Sequence, residues 1–225
     1  YTAISLWSSL EGSILFWGWI LSGYGALVAF VNRKSDSRLI PFANGVMGFV
    51  GLFFYGLITG PANPFGTVFP VPANGPGPNP LLQNHPLMGL HPPMLYLGYV
   101  GLTVPFAFAI GALLSGKLDE EWIRLTRRWT VAAWAFLSVG IVGGAWWSYE
   151  VLGWGGYWAW DPVENTSMVP WLTSLALLHG LIIERRSGAL RKTNMLLASF
   201  LFLQVIYGTF LTRSGVLADF SVHSF

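Results

Sequence analysis

Residues 146–171 read WWSYEVLGWGGYWAWDPVENTSMVPW and hold six of the chain's twelve tryptophans, with no lysine or arginine among them. Strongly apolar stretches flank the segment on both sides. Within it, Asp161-Pro162-Val163-Glu164 supplies a carboxylate at the N-cap, proline at the first helical position and glutamate at the third, the pattern of a capping box. A helix therefore starts at Pro162, and its carboxylates complement the helix dipole rather than serve acid–base catalysis. Tryptophan is enriched at membrane–water interfaces, so an aromatic belt accounts for part of the cluster. It does not explain why half of the tryptophans fall within 26 residues. Such a surface also suits a large, flat, aromatic ligand.

Working outward, composition places the whole chain in a membrane. Of 225 residues, 53% are hydrophobic and only 10% charged, with mean hydropathy +0.54, whereas soluble domains carry roughly 25% charge. Six stretches suffice to cross a ~30 Å hydrocarbon core as helices: 13–31, 40–59, 94–115, 130–149, 162–183 and 194–212. Pro105 and Pro170 predict kinks in the third and fifth. The expected fold class is all-α, a polytopic membrane bundle of about six helices forming a single transmembrane domain over 1–225. A Pro/Gly-rich loop at 60–93 and the Trp-rich segment at 146–171 complete it.

Orientation follows from the basic residues, because short loops rich in lysine and arginine stay cytoplasmic. Arg33, Lys34 and Arg38 follow the first span, Lys117, Arg124, Arg127 and Arg128 the third, and Arg185, Arg186, Arg191 and Lys192 the fifth. Both termini, the 60–93 loop and the Trp-rich loop are thus expected outside the cytoplasm. The net charge of +2 needs no nucleic-acid partner, since orientation accounts for the basic clusters. The chain has no cysteine, so thiol chemistry must come from a partner. It begins with tyrosine and shows no charged n-region before an h-region, so no signal peptide is expected, and both ends lie beside a helix as in a piece of a longer bundle.

Two histidines flank the Trp-rich segment on its own side of the membrane. Pro92 biases His91 away from helical geometry and Pro93 suits the first turn of the third span, which predicts His91 just above the membrane surface. His223 returns to that side after the sixth span. Neutral imidazoles on both faces of a porphyrin give six-coordinate iron, and tryptophans supply the apolar contact that a porphyrin needs. His85 reads as a solvent-facing loop residue. His179 lies inside the fifth span, where an ionisable group defaults to function with a named partner, or is satisfied by a backbone carbonyl. Arg213 is the one basic residue on the outer side, placed to meet an anionic group such as a haem propionate or to snorkel to headgroups.

The motifs carry a family resemblance. WGGYWAWDPVEN resembles the "WWD" signature of haem-handling membrane proteins, while HPPMLYLGYVG and LTRSGVLADFSVHSF resemble segments of CcmF/NrfE-type cytochrome c haem lyase subunits, in the same order. Together with the stretches between them they extend over nearly the whole chain. The related CcsA and CcmC proteins share a Trp-rich motif, but DPVEN followed by PWL is closer to CcmF or NrfE. Those proteins are much longer, so the chain resembles an internal portion of them.

The resemblance implies a bacterial inner-membrane protein whose haem site faces the periplasm. Substrate haem b would be ligated by His91 and His223 and would rest on Trp146, Trp147, Trp154, Trp158, Trp160 and Trp171, with Arg213 near a propionate. His179 would ligate a second, transmembrane b-type haem whose other ligand lies outside this chain. Haem would arrive from the chaperone CcmE, with CcmH and CcmI as partner subunits, and apocytochrome c would present a CxxCH segment for thioether attachment. Two other classes remain, a haem transporter and a membrane b-type cytochrome of electron transfer. The second would place several histidines within its spans, and only His179 lies in one. Covalent haem transfer to a CxxCH peptide separates the lyase from the transporter.

Overall fold

The computed structural model describes residues 2–67, 69–75, 85–153 and 155–223, and among them every regular element is a helix. In chain order these are α1 (Thr2–Ser8), α2 (Leu10–Val31), α3 (Leu39–Thr59), α4 (Pro86–Gly101), α5 (Thr103–Ser115), α6 (Glu120–Val151), α7 (Pro162–Ser187) and α8 (Arg191–Arg213). Six spans have the length and apolarity to cross a membrane, with α4 and α5 together making one of them. Trp154 and residues 76–84 of the Pro/Gly-rich loop lie outside the described residues.

Lipid is as apolar as leucine, so helices in a membrane associate through close backbone approach and interhelical hydrogen bonds. The contact of α4 with α6 shows how. A Cβ at Gly98 would sit 2.7 Å from the Leu137 nitrogen, and one at Gly140 would sit 2.8 Å from Leu95. Glycine on each helix thus receives a leucine from the other. Further along the same seam, Gly143 and Gly144 lie against His91. Polar bonds join two further pairs: Trp171 Nε1 donates to Ser138 Oγ at 2.7 Å between α7 and α6, and Gln204 Nε2 donates to Thr173 Oγ1 at 3.0 Å between α8 and α7.

The helix positions expected from sequence hold, but several ends move. The α6 helix begins at Glu120 rather than near residue 130, because Asp119 caps it and its first turns are amphipathic. Trp122, Leu125, Thr126 and Trp129 face inward there, while Arg124, Arg127 and Arg128 face out. At 1.5 Å per residue this helix is about 48 Å long, more than a bilayer core needs. A break falls at Leu102, between α4 and α5, three residues before Pro105, which lacks the N–H that would pair with the Gly101 carbonyl. By contrast α7 continues through Pro170.

The largest departure concerns His91. Its span starts at Pro86, not Met94, so His91, Pro92 and Pro93 sit inside α4. Pro92 removes the hydrogen bond that the Met88 carbonyl would have accepted. Trp7 of α1 replaces it, its Nε1 donating to that carbonyl at 3.3 Å. A tertiary donor therefore overrides the local bias of the His-Pro step.

Candidate functional site

The Trp-rich loop is built by its own motif. Glu164 Oε2 accepts the Ala159 and Asp161 N–H groups at 2.9 and 3.2 Å, and Asp161 Oδ1 accepts the Val163 N–H at 2.7 Å, so the expected capping box is present. Trp160 takes a left-handed backbone, φ 59°, uncommon for a bulky residue, and Asn165 Nδ2 holds its carbonyl at 3.1 Å. The Trp-Asp-Pro-x-Glu-Asn string thus encodes a tight turn into α7.

This loop, the start of α4 and the ends of α6 and α8 surround a cavity of about 390 Å³. That lies within the size range of cofactor and ligand sites. His91, Trp147, Trp158, Arg213 and His223 line it, joined by Trp7, Trp17, Tyr96 and Tyr99. His91 is buried at 6% exposure and stacks on Trp147 with ring centroids 6.0 Å apart and planes 24° apart. His223 meets the same Trp147 ring edge-on, also at 6.0 Å. Two histidines 132 residues apart in the sequence therefore flank one indole at one cavity. The Nε1 atoms of Trp147 and Trp158 are buried without a partner at hydrogen-bonding geometry. Trp122 and Trp134, away from the cavity, share this state, so what marks the cavity is its lining of two histidines and several aromatic rings.

His223 is held from behind. Its Nδ1 lies 3.1 Å from Asp161 Oδ2, the Ser221 hydroxyl donates to that same oxygen at 2.8 Å, and the His223 peptide N–H donates to Ser221 Oγ at 3.0 Å. Burial alone would raise the Asp161 pKa, but hydrogen bonds from His223, Ser221 and the Val163 N–H outweigh it and hold the carboxyl below its usual range.

Arg213 ends α8 and reaches across the bundle. Its Nε donates to Ser13 Oγ at 3.0 Å and its Nη2 to the Tyr96 hydroxyl at 2.7 Å, while its guanidinium carbon lies 5.8 Å from the centres of the Trp17 and Tyr96 rings. A cation held by polar and aromatic neighbours at a cavity wall is placed to meet an anionic substituent there.

The remaining sequence candidates lie elsewhere. Trp146 and Trp160 are 54% and 68% exposed and do not line the cavity. Trp171 stacks on Trp134 at 5.8 Å within the bundle. His179 points away from the described bundle, with Nδ1 2.8 Å from the Leu175 carbonyl. His85 is not a solvent-facing loop residue: it caps α4, its Nδ1 accepts the Leu87 N–H, and its Nε2 contacts Glu150. Sequence reasoning missed Trp7, Trp17, Tyr96 and Tyr99. Their signal was an aromatic at the outer end of a span, which an interfacial belt also produces.

Comparison with known proteins gives the family. The family described as "Cytochrome C assembly protein" matches residues 7–217. The chain is 45% identical over its whole length to "Cytochrome c-type biogenesis protein CcmF" of Haemophilus influenzae, 46% to CcmF of Pseudomonas aeruginosa and 43% to "Cytochrome c-type biogenesis protein NrfE" of Haemophilus influenzae. It covers 34%, 34% and 35% of those proteins, so it spans about a third of their length. A solved structure titled "Cytochrome c Heme Lyase CcmF" superposes with a TM-score of 0.78 at 39% identity, covering 96% of this chain and 34% of that one. The chain therefore belongs to the cytochrome c assembly protein family.

Proposed function

We propose that this chain carries the haem platform of a cytochrome c haem lyase. Haem b is its substrate, held in the cavity with His91 and His223 as iron ligands and the Trp7, Trp17, Trp147 and Trp158 rings against the porphyrin. The tryptophan-rich end faces the periplasm of a bacterial inner membrane, consistent with eleven of the twelve basic residues falling at the opposite end.

The observation that carries this reading is the convergence of His91 and His223 on Trp147 at one apolar cavity. Arg213 on the wall suits a propionate. Haem delivered by CcmE would meet an apocytochrome CxxCH segment here, with CcmH and CcmI as partner subunits. Each cysteine thiol adds across a haem vinyl group: a sulfur–carbon bond forms at the carbon next to the ring, the thiol proton goes to the terminal carbon, and no electrons are gained or lost overall. The cytochrome's histidine replaces one of the two ligands. The chain supplies positioning and exclusion of wrong orientations rather than a nucleophile.

His179 fits a second, transmembrane b-type haem. The Leu175 carbonyl can only accept, so Nδ1 bears the proton and Nε2 keeps its lone pair on a side chain exposed outside the described bundle. Its second ligand would come from outside this chain.

Absorption spectra of detergent-purified protein, oxidised and reduced, test the platform. Wild type supplied with haem should show a low-spin, bis-histidine spectrum that His91→Ala and His223→Ala each lose, and an unchanged spectrum in both variants would overturn the assignment. Transfer of haem to a CxxCH peptide by the complete protein tests the lyase step.

A further inference from the structure

We propose that Asp161 is a positioning residue for His223, fixing the imidazole with its proton on Nδ1 so that Nε2 presents a lone pair to the cavity. The helix cap alone does not need this arrangement. Asp161 Oδ1 already accepts the Val163 N–H at 2.7 Å, which satisfies the start of α7. The second oxygen turns the other way and gathers the Ser221 hydroxyl and His223 Nδ1, at 2.8 and 3.1 Å.

Donor and acceptor roles follow from chemistry. An ionised carboxylate has no proton to donate, so a hydrogen bond between Asp161 Oδ2 and His223 Nδ1 requires Nδ1–H. A neutral imidazole protonated there leaves Nε2 unprotonated, the state that binds a metal ion or other Lewis acid. Ser221 fixes the geometry, since its hydroxyl oxygen accepts the His223 peptide N–H while its proton goes to Asp161. Backbone and ring of His223 are thus tied to one carboxylate that is itself only 8% exposed. His91 has no carboxylate behind it, its ring meeting the neutral Gly140 backbone instead, so the two histidines are unequal. Carboxylate-backed histidines are stronger and better-oriented ligands. We infer that His223 is the more firmly held member of the pair and His91 the one more readily displaced.

The consequence for haem rests on the platform reading above, whereas the tautomer does not, and the test keeps them apart. The full chain, labelled with ¹⁵N in its histidine rings, is compared at pH 8 as wild type, Asp161→Asn and Ser221→Ala, with His223→Ala assigning the signal. Each sample is also titrated with hemin. Asparagine caps helices as well as aspartate, so α7 survives the change, but its amide can donate to Nδ1 where the carboxylate accepts. The expected result is an Nδ1–H tautomer for His223 in wild type and in Ser221→Ala, moving toward Nε2–H in Asp161→Asn, with hemin affinity of Asp161→Asn lower by roughly tenfold or more.

A wild-type His223 protonated on Nε2, or a tautomer that Asp161→Asn leaves unchanged, overturns the proposal whatever haem does. So does loss of the tautomer in Ser221→Ala equal to that in Asp161→Asn, which would make the contact a tether for the C-terminal segment. If the tautomer shifts as expected but wild type takes up no hemin, Asp161 positions His223 and it is the platform reading that fails.

Discussion

His85 Nε2 lies 2.7 Å from Glu150 Oε2, joining the N-cap of α4 to the last turn of α6 beside the cavity. The other Glu150 oxygen accepts the Trp146 indole N–H. His85 Nδ1 accepts the Leu87 N–H at 3.3 Å, so the proton of the neutral ring sits on Nε2 and points at Glu150. Both ring nitrogens are committed to structure. A histidine in a flexible solvent-facing loop would be free to stand in for a lost His91, and this geometry removes that freedom.

His85 is therefore predicted not to replace a lost ligand. Haem titrations of His91→Ala and of the double variant His85→Ala/His91→Ala should coincide in affinity and spectrum. Tighter binding or a six-coordinate spectrum in the single variant would show that His85 swings in. His85→Ala alone should speed hydrogen exchange in the first turn of α4 and leave the bis-histidine spectrum in place.

Close packing of α6 on the His91 ring gives a second prediction. A Cβ at Gly144 would meet His91 Nδ1 at 3.2 Å, tight enough that the imidazole must shift by a few tenths of an ångström. Gly144→Ala should weaken haem binding several-fold while the fold persists, since overpacking typically costs ~1–3 kcal/mol. Gly45→Ala on α3 is the control: nothing lies within 4 Å of its Cβ, so the protein should melt at the same or a slightly higher temperature with haem affinity unchanged. Equal haem affinity in both variants would mean that His91 has room to spare.

How much of this could be read in advance depended on whether the deciding interaction was local. Spans were legible because about 20 apolar residues in a row have few other uses, and the capping box was legible because its partners lie within four positions. Trp171 belongs to the same Trp-rich string, yet nine residues beyond Pro162 it is about 13 Å along the α7 axis and packs on Trp134 instead of the cavity. Trp7, the donor that keeps His91 in a helix, is 81 residues from the carbonyl it serves. Nothing in the His-Pro-Pro sequence points to it. The Asp161 bond to His223 was likewise out of reach, because the capping box already gave the aspartate a sufficient local role.

Arg213 supports a prediction that separates its structural from its ligand-directed part. It braces α2 and α4 through Ser13 and Tyr96, so Arg213→Gln should lower the melting temperature of the haem-free protein. If it also meets a propionate, Arg213→Gln should weaken haem binding about tenfold, the scale of one hydrogen bond to a charged group. Haem dimethyl ester, which has no carboxylate, should bind both proteins alike. An equal loss for haem and its ester would assign Arg213 to bracing alone.

The contact between Trp7 and Met88 yields the last prediction. Pro92 has no N–H, so the Met88 carbonyl would be left without its helical donor if the Trp7 indole did not supply one at 3.3 Å. Trp7→Phe keeps an aromatic ring against Phe16, whose centroid lies 5.7 Å away, and removes only the donor. The expected cost is about 1 kcal/mol, the usual scale for a lost hydrogen bond at a partly buried carbonyl. It should appear as a lower melting temperature in detergent and faster exchange around residues 86–93, because that turn then loses one of its ties to the bundle. Trp19→Phe provides the comparison, since Trp19 is 68% exposed, and its stability and exchange should match wild type. If Trp7→Phe is equally silent, the helical course of His91-Pro92-Pro93 is set by packing on α6 rather than by the indole bond, and His91→Ala should then destabilise the turn more than Trp7→Phe does.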